Sequence, residues 1–272
     1  MTARQGNDTR AARRSASGQP SVAVLAKAMA LIDRIAEEGE ITPARLAELT
    51  GEPRSSVYRL LATLQHVQLV EPGPRRGTYV LGLKLFRLGH SVVSRFDERQ
   101  AALPVMERIH DELGESTFLC VRRGYHAVCI ERLDGTRVSL LALSLGGSLP
   151  LHAGGVSRAL LAFEPEEFWE EYLEHHRLEA LTPATPVTRA TVLQELRATR
   201  ERGYSISDQD VTLGIAALGA PIFDHTGRVR AALSVGGMRD HLFAHRDRSI
   251  ELLCGGAAEI SRTLGYDASR AA

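Results

Sequence analysis

The chain has 272 residues, 44% hydrophobic and 24% charged, with 33 basic and 33 acidic side chains; this is the composition of water-soluble domains, long enough for two cores, and its apolar runs fall short of the roughly 18 residues that a membrane helix needs. Three cysteines (Cys120, Cys129 and Cys254) and an N-terminus without an apolar secretory core exclude a disulfide framework and point to the reducing cytoplasm. Zero net charge hides an asymmetry: residues 1–95 carry 14 Lys/Arg against 8 Asp/Glu, and residues 96–272 carry 19 against 25, so a polyanion such as DNA is expected at the N-terminal end only.

Residues 1–20 are rich in Arg, Ser, Gly and Gln and nearly devoid of large apolar side chains, which predicts a disordered tail whose arginines (Arg4, Arg10, Arg13, Arg14) either touch phosphate or are simply solvated. From Ser21, Val24, Leu25, Ala28, Leu31, Ile32 and Ile35 recur at helical spacing up to Gly39. Thr42 then caps a short helix with Pro43 at its first position and Gly51 at its end. After a tight turn, a third helix from about Pro53 buries Val57, Leu60, Leu61 and Leu64 and shows Ser55, Ser56, Tyr58, Arg59 and Thr63 on its other face. Two short strands, 69–71 and 78–81, flank a Pro/Gly turn tipped by Arg75 and Arg76.

A further helix over 83–95 has Leu81, Leu85, Leu88 and Val92 at heptad-like steps, so it either pairs with its copy in a second subunit or packs on its own domain. Downstream, Pro104 is expected to open a helix ending near Gly114. Strands follow at 117–121, 127–133 and 139–145, then helices at 153–163, 166–174 and 188–202, a hairpin over 221–235 turning at Gly227, and a last helix over 246–264. Strands and helices mix without strict alternation, so the class is α+β around an antiparallel sheet. The domain expectation is a tail (1–20), a winged helix-turn-helix (21–82), a linker helix (83–100) and a ligand-sensing domain (101–266).

Two helices joined by a tight turn, the second polar on one side, followed by a basic-tipped hairpin, make a DNA-binding constellation. A helix fits the major groove with its N-terminal residues at base edges, which assigns Arg54, Ser55, Ser56, Tyr58 and Arg59 to the duplex. Arg75 and Arg76 reach phosphate or an adjacent minor groove, although any one of these arginines could instead serve an ion pair within the protein.

The stretch from Ala44 to Leu64, with Tyr79-Val80-Leu81-Gly82, Pro150-Leu151-His152-Ala153, Arg202-Gly203-Tyr204, Gly214-Ile215-Ala216-Ala217 and Ala220-Pro221-Ile222-Phe223-Asp224, resembles successive blocks of the IclR family of bacterial transcriptional regulators, over roughly residues 21–264. The resemblance implies a GAF-like effector domain, a small-molecule ligand, and dimers or dimers of dimers on a palindromic operator. It places a ligand cavity around residues 152–158, 205–217 and 232–237. There Gly155 and Val156 would offer backbone N–H groups to a carboxylate, and Ser207 or Asp208, with Ser234, would add hydrogen bonds. Ala217 and Gly236 stand where small-acid sensors of the family have a cysteine and a second serine, which suggests a roomier, less polar pocket and an acid larger or more apolar than a two- or three-carbon keto acid, such as an aromatic one. Two further departures are Val67-Gln68, in place of a glycine before the wing, and Ser157-Arg158, in place of Gly-Lys before the first effector helix.

Other chemistry is weaker. Gly155-Val156-Ser157-Arg158-Ala159 is close to a hydrolase nucleophile elbow, and Ser157 with His152 and Asp208 would form a triad on paper, but no strand is expected before it and alanine replaces its last glycine. His126 with Cys129, and His241 with His245, have possible metal-ligand spacings without a converging set of four. No cofactor, metal or membrane partner is expected.

Overall fold

The computed structural model describes residues 19–93, 97–137 and 142–267, and the chain divides into two compact units on either side of Val92 and Val93. In the first unit, α1 (Gln19–Glu38) turns Leu31, Ile32 and Ile35 into a core shared with α2 (Pro43–Thr50) and α3 (Arg54–His66). The Thr42 side chain accepts the Arg45 N–H, and Gly51 closes α2 at φ 69°, the left-handed conformation that glycine adopts without steric cost. Val57, Leu60, Leu61 and Leu64 are buried, so α3 is anchored along one stripe. Strands β1 (Val70–Pro72) and β2 (Tyr79–Leu81) pair antiparallel with Val70 opposite Leu81, and α4 (Leu83–Val93) follows.

The second unit holds a six-stranded antiparallel sheet in the order β5-β4-β3-β8-β7-β6. Its strands are β3 (Ser116–Arg123), β4 (His126–Leu133), β5 (Ser148–Pro150), β6 (Ser205–Asp208), β7 (Ile215–Phe223) and β8 (Val229–Met238). Helices α5 (Asp97–Leu113) and α10 (Arg246–Thr263) cover one face through Val105, Ile109, Leu253 and Ala257. The other face carries α6 (Gly155–Ala162), α7 (Glu166–His175) and α8 (Arg189–Arg202), where Leu160, Trp169 and Leu196 join Phe118 and Ala232. The short α9 (Arg239–Ala244) links β8 to α10. The architecture is thus α+β, with a helical N-terminal unit and an antiparallel sheet flanked by helices.

Several expectations change. Helix α1 begins at Gln19, inside the stretch expected as tail, while residues 1–18, with the four tail arginines, lie outside the described residues. Pro104 lies within α5 rather than at its start: the helix opens at Asp97, whose carboxylate and that of Glu98 suit the positive helix terminus, and buried Ala102, Val105, Met106 and Ile109 hold it together despite the proline. Of the linker helix expected over 83–100, α4 covers Leu83–Val93 and the start of α5 covers 97–100, while 94–96 and the Val92 side chain lie outside the described residues.

Of the strand expected at 139–145, residues 139–141 lie outside the described set and 142–145 are not strand. The third strand of that part is β5, at the sheet edge, where Pro150 removes no ladder bond. Residues 205–217 are not a loop: β6 and the start of β7 occupy most of the stretch. Alternation in β6 is masked in the sequence because its buried positions are Ser205 and Ser207, whose hydroxyls find partners inside.

Candidate nucleic-acid interface and ligand cavity

On α3, Arg54, Ser55, Tyr58 and Arg59 are exposed and Ser56 is half-buried, while the leucines behind them are buried. Tyr58 is 57% exposed, unusual for so large an apolar ring on a helix this well anchored. Among the described residues, no ion pair involves Arg54, Arg59 or Arg76, so their guanidinium groups are available to an outside anion. Arg75 differs. Its backbone N–H and its Nε–H both donate to Glu40, at 2.9 Å each, and the Thr78 hydroxyl donates to the same carboxylate at 2.5 Å. These bonds, Thr78's first and then that of the Arg75 backbone, hold the Glu40 carboxyl below the usual carboxylate range. Glu40 therefore braces the wing, a role that leaves Arg76 as the wing's outward cation.

Within the second unit, α6 meets the sheet at very short range. A Cβ on Gly219 would lie 2.4 Å from the Gly155 carbonyl oxygen, and the Ser205 hydroxyl donates to that same oxygen at 2.5 Å. This contact seats the start of α6 beside a cavity of about 60 Å³ lined by Phe118, Leu143, Leu149, Gly154, Gly155, Val156, Ser207, Val211, Thr212, Ala217, Ser234 and Gly236, among others. Strand register explains the grouping: Ser207, Ala217 and Gly236 form one row across β6, β7 and β8, and Gly219, Ser234 and Phe118 form part of the next. The first N–H groups of α6 have no acceptor within the helix, and Gly155 and Val156, which carry two of them, line this space.

Gly155, Val156, Ser207, Ala217 and Ser234 are thus brought together, and Asp208 is not. On β6 it faces away from Ser207 and forms a two-pronged ion pair with Arg239, at 2.6 and 3.0 Å. Under the cavity lies a pair that sequence reasoning missed. Arg158 and Asp210 are both buried and ion-paired; Asp210 also accepts from the Gly154 N–H and the Ser207 hydroxyl, and Arg158 donates to the Ile206 carbonyl. The lining is largely apolar, as the loss of two polar side chains suggests, but the cavity is narrower than expected. Phe118 comes within 3.7 Å of where a Gly236 side chain would begin, and Leu143 and Val211 fill the rest.

Residues 24–74 match the family described as the IclR helix-turn-helix domain, and residues 90–262 match the bacterial transcriptional regulator IclR C-terminal domain. The chain belongs to the IclR family. It is 33% identical to the HTH-type transcriptional regulator KipR of Bacillus subtilis over 241 residues, covering 88% of this chain and 96% of that protein. The transcriptional repressor IclR of Escherichia coli is 32% identical over 240 residues, 87% of each chain. Among solved structures, the Thermotoga maritima IclR superposes with a TM-score of 0.78 at 30% identity, covering 90% of this chain and all of that one. An IclR homolog from Microbacterium hydrocarbonoxydans, complexed with 4-hydroxybenzoate, superposes with a TM-score of 0.73 at 26% identity, covering 90% and 100%.

Membership of the IclR family makes this chain a transcriptional regulator and not an enzyme. The elbow-like segment agrees: His152 uses Nδ1 on the Tyr172 hydroxyl and Nε2 on the Glu179 carbonyl, Ser157 Oγ is buried without a partner, and Asp208 is on Arg239. Burial pushes the His152 imidazole below its ordinary range, as for a neutral core group. Neither metal pair gathers a ligand set, although the His241 and His245 rings lie 4.6 Å apart. His126 is exposed while Cys129, three residues along the strand, is buried with its thiol on the Glu131 carbonyl, and His241 is held by Glu115 at 2.6 Å. Among the described residues no group of three or more His, Cys, Asp or Glu could hold a metal ion, and no helix is long and apolar enough to cross a membrane.

The IclR departures also gain physical content. Gln68 adopts φ 62° in the turn before β1, so a non-glycine residue occupies the left-handed position, secured by its N–H on the Gln65 carbonyl at 3.0 Å and that of Leu69 on the Leu64 carbonyl at 2.9 Å. Ser157-Arg158 lies inside α6 rather than before it, and Arg158 is the buried partner of Asp210.

Proposed function

We propose that this regulator places the outer face of α3 in the major groove of a palindromic operator, with Arg54, Ser55, Ser56, Tyr58 and Arg59 at base edges and backbone, and Arg76 of the wing on phosphate. The observation that carries the reading is the two-sidedness of α3: buried Val57, Leu60, Leu61 and Leu64 behind, exposed Arg54, Tyr58 and Arg59 in front. Arg75 supports the wing through Glu40 rather than reading DNA. A gel-shift titration of Arg59→Ala against the natural chain tests it: loss of a bidentate base contact weakens operator binding by about 1–3 kcal/mol, and equal affinity removes Arg59 from the interface.

Operator binding is modulated by a small organic acid in the cavity of the second unit, its carboxylate at the Gly155 and Val156 N–H groups and its body against Phe118, Val156 and Ala217. The apolar lining favours an apolar, including aromatic, acid, and the 4-hydroxybenzoate bound by the Microbacterium homolog supports that class. The space is narrow, so a ring favours forms of the cavity in which Leu143 or Val211 stands back from it. Such a ligand has the differential affinity for two conformations that any modulation of DNA binding requires. The working unit is a homodimer or a tetramer. Val24, Leu25 and Met29 of α1 and Leu83 and Phe86 of α4 expose apolar surface on a small unit, the kind of surface a second copy covers.

A further inference from the structure

We infer that the serine hydroxyls on the sheet side of the effector cavity only accept hydrogen bonds, so that the effector presents a hydroxyl or N–H donor to them while its carboxylate lies at α6. This rests on the effector reading above and sharpens it to a class: acids that carry a second, donating polar group. A serine hydroxyl has one proton and two lone pairs. Ser234 lines the cavity, and its Oγ donates to the Leu218 carbonyl at 2.6 Å; a carbonyl has no proton to give back, so the Ser234 proton is committed. Ser207, also lining the cavity, is bonded to the Asp210 carboxylate. Asp210 is ion-paired with buried Arg158, so its carboxylate accepts the Ser207 hydroxyl and the Ser207 proton is committed as well.

Both hydroxyls consequently offer only lone pairs to a guest. The donors in the lining are the first N–H groups of α6 and the half-buried hydroxyl of Thr212, in the loop between β6 and β7. The cavity is thus polarised, with donors at α6 and the loop and acceptors on the sheet. A carboxylate or ketone oxygen directed at Ser207 or Ser234 meets a lone pair, whereas a hydroxyl directed there makes a bond. Turning either serine around gives up its short bond to the Asp210 carboxylate or the Leu218 carbonyl, so a new bond to the guest only replaces a buried one.

Calorimetry on the full-length chain with two matched pairs tests this: 4-hydroxybenzoate against 4-fluorobenzoate, and lactate against pyruvate. Each pair keeps the carboxylate and nearly the same size and exchanges a donor for a non-donor, with the α-carbon also changing from tetrahedral to planar in the second. The hydroxyl member should bind at least about tenfold more tightly in the pair the cavity admits. Ser234→Ala and Ser207→Ala, near-isosteric changes whose folding is checked by thermal melting, should reduce that preference, read as the ratio of the two affinities within each variant. Equal or tighter binding of the fluoro or keto member, or a preference that survives in both variants, overturns the inference while the effector reading stands. If none of the four acids binds, the effector reading falls and the inference with it.

Discussion

An acidic side chain on a surface meant for DNA opposes binding by simple repulsion, yet Glu40 collects the Arg75 N–H, the Arg75 guanidinium and the Thr78 hydroxyl. Two effects compete when Glu40 is changed to Gln. Net charge rises by one, which favours the polyanion, and the brace that sets the wing is weakened, which releases Arg75 and the tip. Arg75 is 71% exposed, so its ion pair is screened and worth little by itself; the geometry it imposes on the wing is what matters. The expected outcome is that Glu40→Gln weakens operator binding a few-fold in gel shifts at fixed salt, against the direction that charge alone predicts. In the same series, Arg76→Ala should lower the slope of log K against log salt by about one. Tighter binding by Glu40→Gln would show that repulsion outweighs the brace.

At the level of elements, the placement of α6 is the feature on which the cavity depends, and it is set by the absence of a side chain at Gly219. Adding a Cβ there brings it 2.4 Å from the Gly155 oxygen, and both partners are backbone, so neither can swing aside. Gly219→Ala is therefore expected to destabilise the second unit by about 1–3 kcal/mol, read as a lowered Tm, and to abolish acid binding at temperatures where the chain is still folded. An unchanged Tm would mean that α6 slides without cost. Elements held together by local pattern were legible beforehand: the Thr42 cap, Gly51, and the Val57-Leu60-Leu61-Leu64 stripe each carry their signal within one or two helical turns. What escaped depends on partners distant in sequence. Strand β6 alternates, but its inward residues are serines satisfied by Gly155 and Asp210, so no apolar period marks it. The choice between Ser207 and Asp208 was open in sequence and is decided by which face of β6 meets α6. Glu40 and Arg75 are 35 residues apart, and nothing in either segment announces the other.

For the whole molecule, the basic third and the acidic remainder follow the two family domains, so DNA binding and the proposed acid binding fall in different parts of one chain. Whatever the path between them, the coupling is a free energy and must be reciprocal. If a saturating acid changes operator affinity by a factor α, saturating operator must change acid affinity by the same α. An acid that prefers a wider form of the narrow cavity pulls the population toward whichever DNA affinity that form has. The expected result is that α measured by operator titration at zero and saturating acid equals α measured by calorimetry of the acid with and without a duplex operator, at one salt concentration. Typical couplings of about 1–3 kcal/mol correspond to factors of roughly 5 to 150. A factor of one in both directions would remove modulation by that acid. Unequal factors would mean that the acid also engages the DNA-binding surface or alters assembly, which a repeat at several protein concentrations separates, because only assembly depends on protomer concentration.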